Sequence, residues 1–530
     1  MMNGGGKSDS CIVPAKPVNA VSSRRSWSHG EPYSGTKGET PETAKGEPSA
    51  SRSGGIGDGE SVEGRRRAKG NTVGQNAPRT QSRTRASSAL DRVREVAKKD
   101  RNARFTALLH HVTVERLRVA FFELNRKAAA GVDGVTWEQY AQDLECNLQD
   151  LHARVHRGAY RPKPSRRVYI PKADGQQRPL GIVALEDKLL QRAVVEVLNA
   201  IYETDFLGFS YGFRPGRSQH QALDALVVGI LRRKVNWVLD ADIRRFFDTI
   251  DHEWLMQFLE HRIADRRVLR LIRKWLMAGV MEDEQWQACK EGSPQGATVS
   301  PLLANLYLHY VFDLWVQRWR TRQAQGNVVV VRYADDVVVG FEHEGDAHRF
   351  RAELGMRLGQ FSLDLHPDKT HLIEFGRFAA ERRARKGQGK PETFNFLGFT
   401  HICGQARSGR FLLVRHSSRR RRRAKLCEVR DEIMRRRHLS IKKQGMWLAR
   451  VVQGYLNYHA IHTNIHAIQQ FRKQVTRHWH RALRRRSQTD RTTWVRMNRL
   501  AERWLPVARI QHPWSTERFD ATTRGGSPVR

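Results

Sequence analysis

Residues 327–341 read NVVVVRYADDVVVGF, two adjacent carboxylates set between two runs of valine. Apolar β-branched runs of this length, parted by turn-compatible residues, predict a hairpin buried in a sheet. Asp335 and Asp336 then sit at its tip, where desolvated carboxylates repel each other unless positive charge lies close by. Taken alone, the pair is also compatible with a solvated acidic turn. The rest of the chain must decide whether a cation belongs there.

A second acidic strand, NWVLDADI over 236–243, narrows the choice. Period-two alternation puts Asp240 and Asp242 on one face and Leu239 and Ala241 on the other. An edge strand with a polar face is the bland reading. The sharper one is that two separated acidic β elements hold two Mg²⁺ ions about 4 Å apart, activating an attacking hydroxyl and steadying a leaving oxygen. Magnesium favours a few carboxylates combined with substrate phosphates.

The chain has 530 residues, a net charge of +38 and a sequence pI near 10.8. That imbalance calls for a polyanion, with nucleic acid the default. No apolar stretch approaches spanning length and no signal-like core opens the chain, so a membrane partner is not expected. Five scattered cysteines without a Cys-x-x-Cys pair support neither a disulfide framework nor a structural zinc site. They point to a reduced, intracellular protein, which reads as cytoplasmic. Residues 1–87 are rich in Gly, Ser, Thr, Pro and charge and are expected to form a disordered arm. A helical extension (88–150) precedes a mixed region (151–400) with strands at 166–172, 236–243, the valine hairpin and 394–399, and helices at 185–203 and 300–319. A helical region spans 401–490. The stretch WLPVARIQHPWSTERF (504–519) is Pro-interrupted and reads as extended, within a basic tail, 491–530, suited to DNA binding.

Several stretches occur in an ordered series: GVDGVTW (131–137), YIPKADGQQRPLGI (169–182), SYGFRPGRSQHQAL (210–223), DADIRRFFDTIDH (240–252), GSPQGATVSPLLANLYL (292–308), RYADD (332–336), LDLHPDKT (363–370), FNFLGF (394–399) and GYLNYH (454–459). Together they resemble the group II intron-encoded reverse transcriptase/maturases. The resemblance implies an α+β fold: a right-hand fingers, palm and thumb polymerase with an antiparallel palm sheet, then an α-helical thumb/maturase domain. It implies template-directed addition of dNTPs with two Mg²⁺ ions, held by Asp242, Asp335, Asp336 and the main chain at Ile243. Asp240 remains a competitor for the role of Asp242. Phe247 would lie under the incoming sugar and exclude a 2′-hydroxyl, unless it is core. Lys172 and Arg178, flanking an Asp174-Gly175 turn, would hold the β and γ phosphates. Gln295 and Gly296 would approach the base or sugar, in a segment that also reads as a helix start with Ser293 as cap and Pro294 at its first position. Lys369 would lie near the leaving pyrophosphate.

The basic segment RHSSRRRRRAK (415–425) has no acid, and Arg419, Arg420, Arg421, Arg422, Arg423 and Lys425 are expected to contact RNA phosphates. Arg450 and Tyr455 join that surface, although most of the aromatic stripe Trp447, Val451, Tyr455 and Tyr458 reads as bundle core. The implied partners are group II intron RNA, target DNA, and an RNA template with its primer, with a homodimer left open. The Cys/His-rich nuclease found at the end of many relatives has no counterpart motif in 491–530, so that module is expected to be absent. Two other functions stay open: a splicing maturase without polymerase activity, and a domesticated reverse transcriptase in phage defence.

Overall fold

In a computed structural model the described residues are 90–171, 177–282, 285–288, 291–293 and 296–523, all within one unit that spans Thr72–Arg530. The expected arm 1–87, Lys172, the Asp174-Gly175 turn, Pro294, Gln295 and residues 524–530 lie outside them. The fold is mixed α and β, built on three sheets.

The sheet that carries the acids has four antiparallel strands in the order β6-β7-β3-β8: Val328–Tyr333, Asp336–Phe341, Trp237–Asp242 and His371–Glu374. Its two faces follow from the register. Val329, Val331, Val338 and Val238 share one face, where helix α1 (Gln219–Arg232) covers them with Leu223, Leu226 and Ile230. Further along that face the apolar residues give way to Asp240, Asp242 and Asp336, beyond the helix. The other face carries Val330, Val337, Val339, Leu239 and Ala241, all buried, and helix α4 (Glu344–Gly359) packs against it. Valine fills both faces because both are covered.

A second sheet, β2-β1-β4-β5, is formed by Gln177–Ile182, Ser165–Pro171, Val280–Glu282 and Gln285–Gln287. Its β1–β2 hairpin is antiparallel but β1 meets β4 in parallel, so this sheet is mixed. The third sheet corrects the sequence reading. The stretch 394–399 is two strands, β9 (Phe394–Phe396) and β10 (Phe399–Gln405), which fold back through a two-residue turn. Leu397 and Gly398 have φ of 46° and 83°, the left-handed pair that a tight hairpin turn needs. Strand β11 (Phe411–Ser417) completes this sheet.

The helix expected over 300–319 is α2 (Ser300–Leu308) and α3 (Leu314–Arg322), joined by one π-helical turn, His309–Asp313. After β11 come α5 (Arg419–Arg435), α6 (Ile441–His459), α7 (Ile465–Arg484) and α8 (Trp494–Trp504). Val429, Leu448, Val452, Phe471, Val475, Trp479 and Met497 form their common core. Gln444 ties the bundle: its amide donates to three carbonyls at 436, 437 and 439 and accepts the Trp479 indole proton at 2.8 Å.

The tail is extended only in part. Residues 505–514 are neither helix nor strand, as expected of an extended stretch, but Ser515–Thr523 (α9) is helical and packs on α1. Arg518 grips Asp224 of α1 through Nε and Nη2, and Arg232 grips Asp520 through Nη1 and Nη2. A buried carboxylate on α1 needs a cationic partner, and the chain end supplies it.

Candidate active site

The acidic cluster is a product of strand register. Asp242, last in β3, lies directly opposite Asp336, first in β7, and Tyr333 lies opposite Asp336 on the other side. Directly opposed side chains of antiparallel strands share a face at short range. Asp335 occupies the turn between β6 and β7, immediately before Asp336. Asp240, two residues back along β3, looks onto the same face. Four carboxylates thus gather where the sheet emerges from under α1.

Their ionisation reflects the crowding. Asp240 and Asp336 are each pushed up to about 7, first by the protein mass around them and then by their acidic neighbours. For Asp240 those neighbours are Asp336 and Asp242; for Asp336 they are Asp335 and Asp242. Asp335 is raised too, chiefly by burial, with Arg178 and Arg332 opposing. Lys369 answers the cluster directly, its Nζ 3.3 Å from Asp242 Oδ2. Arg421, at the start of α5, acts on Asp336 together with Lys369.

Among the described residues no three His, Cys, Asp or Glu side chains converge into a ready-made metal nest. The donor set nevertheless fits magnesium, which takes one or two carboxylates and completes its shell with water and substrate phosphate. Raised carboxyl pKa values beside a partly exposed Asp242 are what such a site looks like in want of positive charge. At Ile243 only the main-chain carbonyl is available, because its side chain is apolar and 5% exposed; its backbone pairs with that of Leu365 as an isolated bridge.

Phe246 and Phe247 divide two roles. Phe246 is in the core at 2% exposure, whereas Phe247 is half-buried in the 3-10 turn Phe246–Asp248 that follows β3. Core packing therefore falls to Phe246. The Phe247 carbonyl accepts from Ser293 at 2.7 Å, and a Cβ on Gly292 would press on the carbonyls of Phe247 and Asp248. Gly296 (φ 112°) leaves no room for a side chain against the Gly181 carbonyl, so this loop runs between β2 and Phe247. Arg178, on β2, is exposed and close enough to act on Asp335.

A family model described as reverse transcriptase (RNA-dependent DNA polymerase) matches residues 170–401. Protein YkfC of Escherichia coli (strain K12) is 36% identical over 296 residues, 49% of this chain and 77% of that protein. The chain belongs to the reverse transcriptase family. The group II intron-encoded protein LtrA of Lactococcus lactis subsp. cremoris is 35% identical over 225 residues, 42% of this chain and 37% of LtrA. An uncharacterized 91 kDa protein in the cob intron of Schizosaccharomyces pombe is 44% identical over 146 residues, 28% of this chain and 18% of that one. The chain thus spans most of YkfC but little more than a third of LtrA. No helix among the described residues is long and apolar enough to cross a membrane.

Within this reverse transcriptase the basic candidates divide. Arg419, Arg420, Arg421 and Arg423 are exposed on the first turns of α5, Arg422 is half-buried, and Lys425 pairs with Glu428 at 2.7 Å. Arg450 is exposed on α6. Tyr455 is corrected: it is 8% exposed and stacks on Phe471 with ring centres 3.6 Å apart, so its ring has no face left for a base. Arg415 does not belong to the basic face either, being buried on β11 beside Asp224 and Ser515.

Sequence reasoning missed Arg332 and Asp313. Arg332 is fully buried under the acidic turn and donates twice to Asp313, at 2.7 and 2.6 Å. The signals were there: a lone arginine ending a valine run, and a lone aspartate inside LYLHYVFDLW.

Proposed function

We propose that the chain is an RNA-directed DNA polymerase that also binds intron RNA as a maturase. The observation that carries this reading is the in-register pairing of Asp242 with Asp336 next to the turn that holds Asp335. In this reading the acidic sheet is the palm, the β1–β2 hairpin belongs to the fingers, and α5 to α8 form the thumb and maturase bundle. Asp242, Asp335, Asp336 and the Ile243 carbonyl would hold Mg²⁺, which when bound activates the primer hydroxyl and neutralises the departing pyrophosphate. The protein's own groups position the reactants. Arg178, with Lys172, receives the phosphates of the dNTP, and a guanidinium can do so through two parallel bonds. Lys369 faces Asp242, where it balances acidic charge before substrate binds. Phe247, half-buried while Phe246 takes the core position, would lie under the incoming sugar and refuse a ribose. By the resemblance, Gln295 and Gly296 would contact the base or sugar.

The exposed arginines 419–421 and 423, with Arg450, offer a phosphate-binding face for intron RNA and for the template. Splicing and insertion into target DNA follow from that binding, because the intron RNA supplies its own active site. Primer extension on an RNA template tests the polymerase reading, with Asp335→Asn as control. Extension is expected from the unaltered chain alone; equal product from both would sink the assignment. Splicing of an intron precursor at low magnesium tests the maturase half separately.

A further inference from the structure

The turn that carries Asp335 is conformationally costly. Ala334 sits at φ 57°, a left-handed conformation that a residue with a Cβ seldom adopts. Strain of this kind persists only where the surroundings over-determine it. Here they do. Arg332 Nη1 donates to the Ala334 carbonyl at 3.0 Å and to Asn305 Oδ1 at 3.0 Å. Asn305 Nδ2 in turn donates to the Gly212 carbonyl at 2.6 Å. A Cβ on Gly212 would collide with the Ala334 main-chain nitrogen, so the strand end and the 210–212 segment touch backbone to backbone. The main chain of Arg332 is pinned as well, accepting from Tyr211 N at 2.8 Å and donating to Phe209 O at 2.9 Å.

The other end of Arg332 is held by Asp313, itself fully buried. Asp313 closes the π-helical turn His309–Asp313, where one extra residue in the helix rotates the side chains that follow. Burial would raise the Asp313 carboxyl, but the Arg332 charge and hydrogen bonds outweigh it and hold the group below its usual range. A buried ion pair is a poor way to stabilise a fold, since apolar residues of similar volume often do as well. Its retention directly under the catalytic turn calls for a geometric reason.

We propose that Arg332, anchored by Asp313 and Asn305, is a positioning residue that locks the Ala334–Asp335 turn, and that the π-turn exists to deliver Asp313 to it. This rests on the polymerase reading above. The test compares Arg332→Lys and the double variant Arg332→Met/Asp313→Leu with the unaltered chain. The lysine variant keeps the charge beside Asp313 but cannot also serve Asn305 and Ala334. The double variant replaces the pair by apolar bulk and removes the unpaired buried charge that either single change would leave. Both are expected to bind primer–template, with KM for dNTP little changed and kcat lowered roughly 10- to 100-fold, the scale of a small displacement of a catalytic group. Normal kcat in either folded variant overturns the proposal. Failure of both variants to bind primer–template overturns it too, because the network would then serve the fold at large. Absence of extension by the unaltered chain would instead sink the polymerase reading.

A second, independent observation concerns the bundle. Between α7 and α8 runs a groove of about 590 Å³ lined by Lys473, Arg477, Trp494, Asn498 and Glu502. Trp494 is 49% exposed, yet its ring is backed by the buried His480 ring at 4.2 Å, and His480 is fixed to the Thr492 carbonyl at 2.8 Å. Residues 472–509 contain twelve Lys or Arg against two acids. A rigidly backed, exposed indole among cations is a stacking platform for an unpaired base with its phosphate. The geometry points to this groove as a site for single-stranded nucleic acid. Short oligouridine is the probe. Trp494→Ala should weaken its binding roughly tenfold, and Trp494→Phe should restore most of it. Unchanged oligouridine binding by Trp494→Ala, or tighter binding of a matched duplex at the groove, overturns the assignment.

Discussion

Two tight turns lie close to the acids, and they are held in opposite ways. The Ala334–Asp335 turn uses a residue with a Cβ at positive φ and is gripped from beneath by a buried side-chain network. The Leu397–Gly398 turn ends in glycine, and its support is lighter: Tyr458 donates to the Leu397 carbonyl at 2.6 Å, and Ser418 N donates to the Gly398 carbonyl at 2.9 Å. Leu397 also carries a Cβ at positive φ, but glycine takes the second left-handed place of that turn, while the first turn has no glycine and is forced to carry a carboxylate in a fixed place. The contrast teaches that local chemistry is enough for a turn that only reverses the chain. A turn that aims a charge takes its conformation from the surrounding fold.

The comparison can be broken in order of expected effect. Asp335→Asn should cost on the order of 10²–10³-fold or more in primer extension, as loss of a preorganised electrostatic group does, with little change in melting. Gly212→Ala drives a methyl into the backbone of the strained turn and should destabilise by about 1–3 kcal/mol, read by urea unfolding. Gly398→Ala meets a φ of 83° and the Arg421 guanidinium, and should cost roughly 1–2 kcal/mol. It should lower extension less than any change at Arg332. Tyr458→Phe removes one hydrogen bond and should cost about 1 kcal/mol; a larger loss would mean that the second turn is as dependent on its support as the first.

Proton linkage sharpens the same contrast, because only the first turn sits among carboxylates. Asp240 and Asp336 have folded values of about 7, above the ordinary 3.8. The folded state therefore holds more protons between these limits, and this contribution is present below about pH 4 and lost as pH rises through 7. Without magnesium, melting temperature is expected to fall across that range. Adding Mg²⁺ should flatten the fall, and in Asp336→Asn both effects should shrink. A magnesium-independent profile would argue against metal binding by these acids.

Much of the fold was legible because its signals are local. The valine hairpin, the Asp240/Asp242 alternation and the helix over 185–203 follow from periodicity alone. Leu397-Gly398 was misread as strand interior, although a glycine there is itself a turn signal. The helical tail was missed because STERF owes its place to Asp224, far away in sequence. The acids were named from spacing, but their pairing depends on a register that no single strand specifies. Arg332, Asp313 and Asn305 escaped for the same reason, since the side chains that join them into a network stand at least nineteen positions apart. Tyr455 was assigned to RNA because a helical stripe does not say which of its rings faces a neighbouring helix.

The contacts of α9 have a mechanical consequence. The helical bundle leaves the sheets at Ser417 and comes back to them at Ser515, and between these points Tyr458 of α6 ties it to the Leu397 carbonyl. It is therefore moored along its length rather than hung from one strand end, and cutting the Arg518–Asp224 clasp would free the last of these moorings while leaving the others in place.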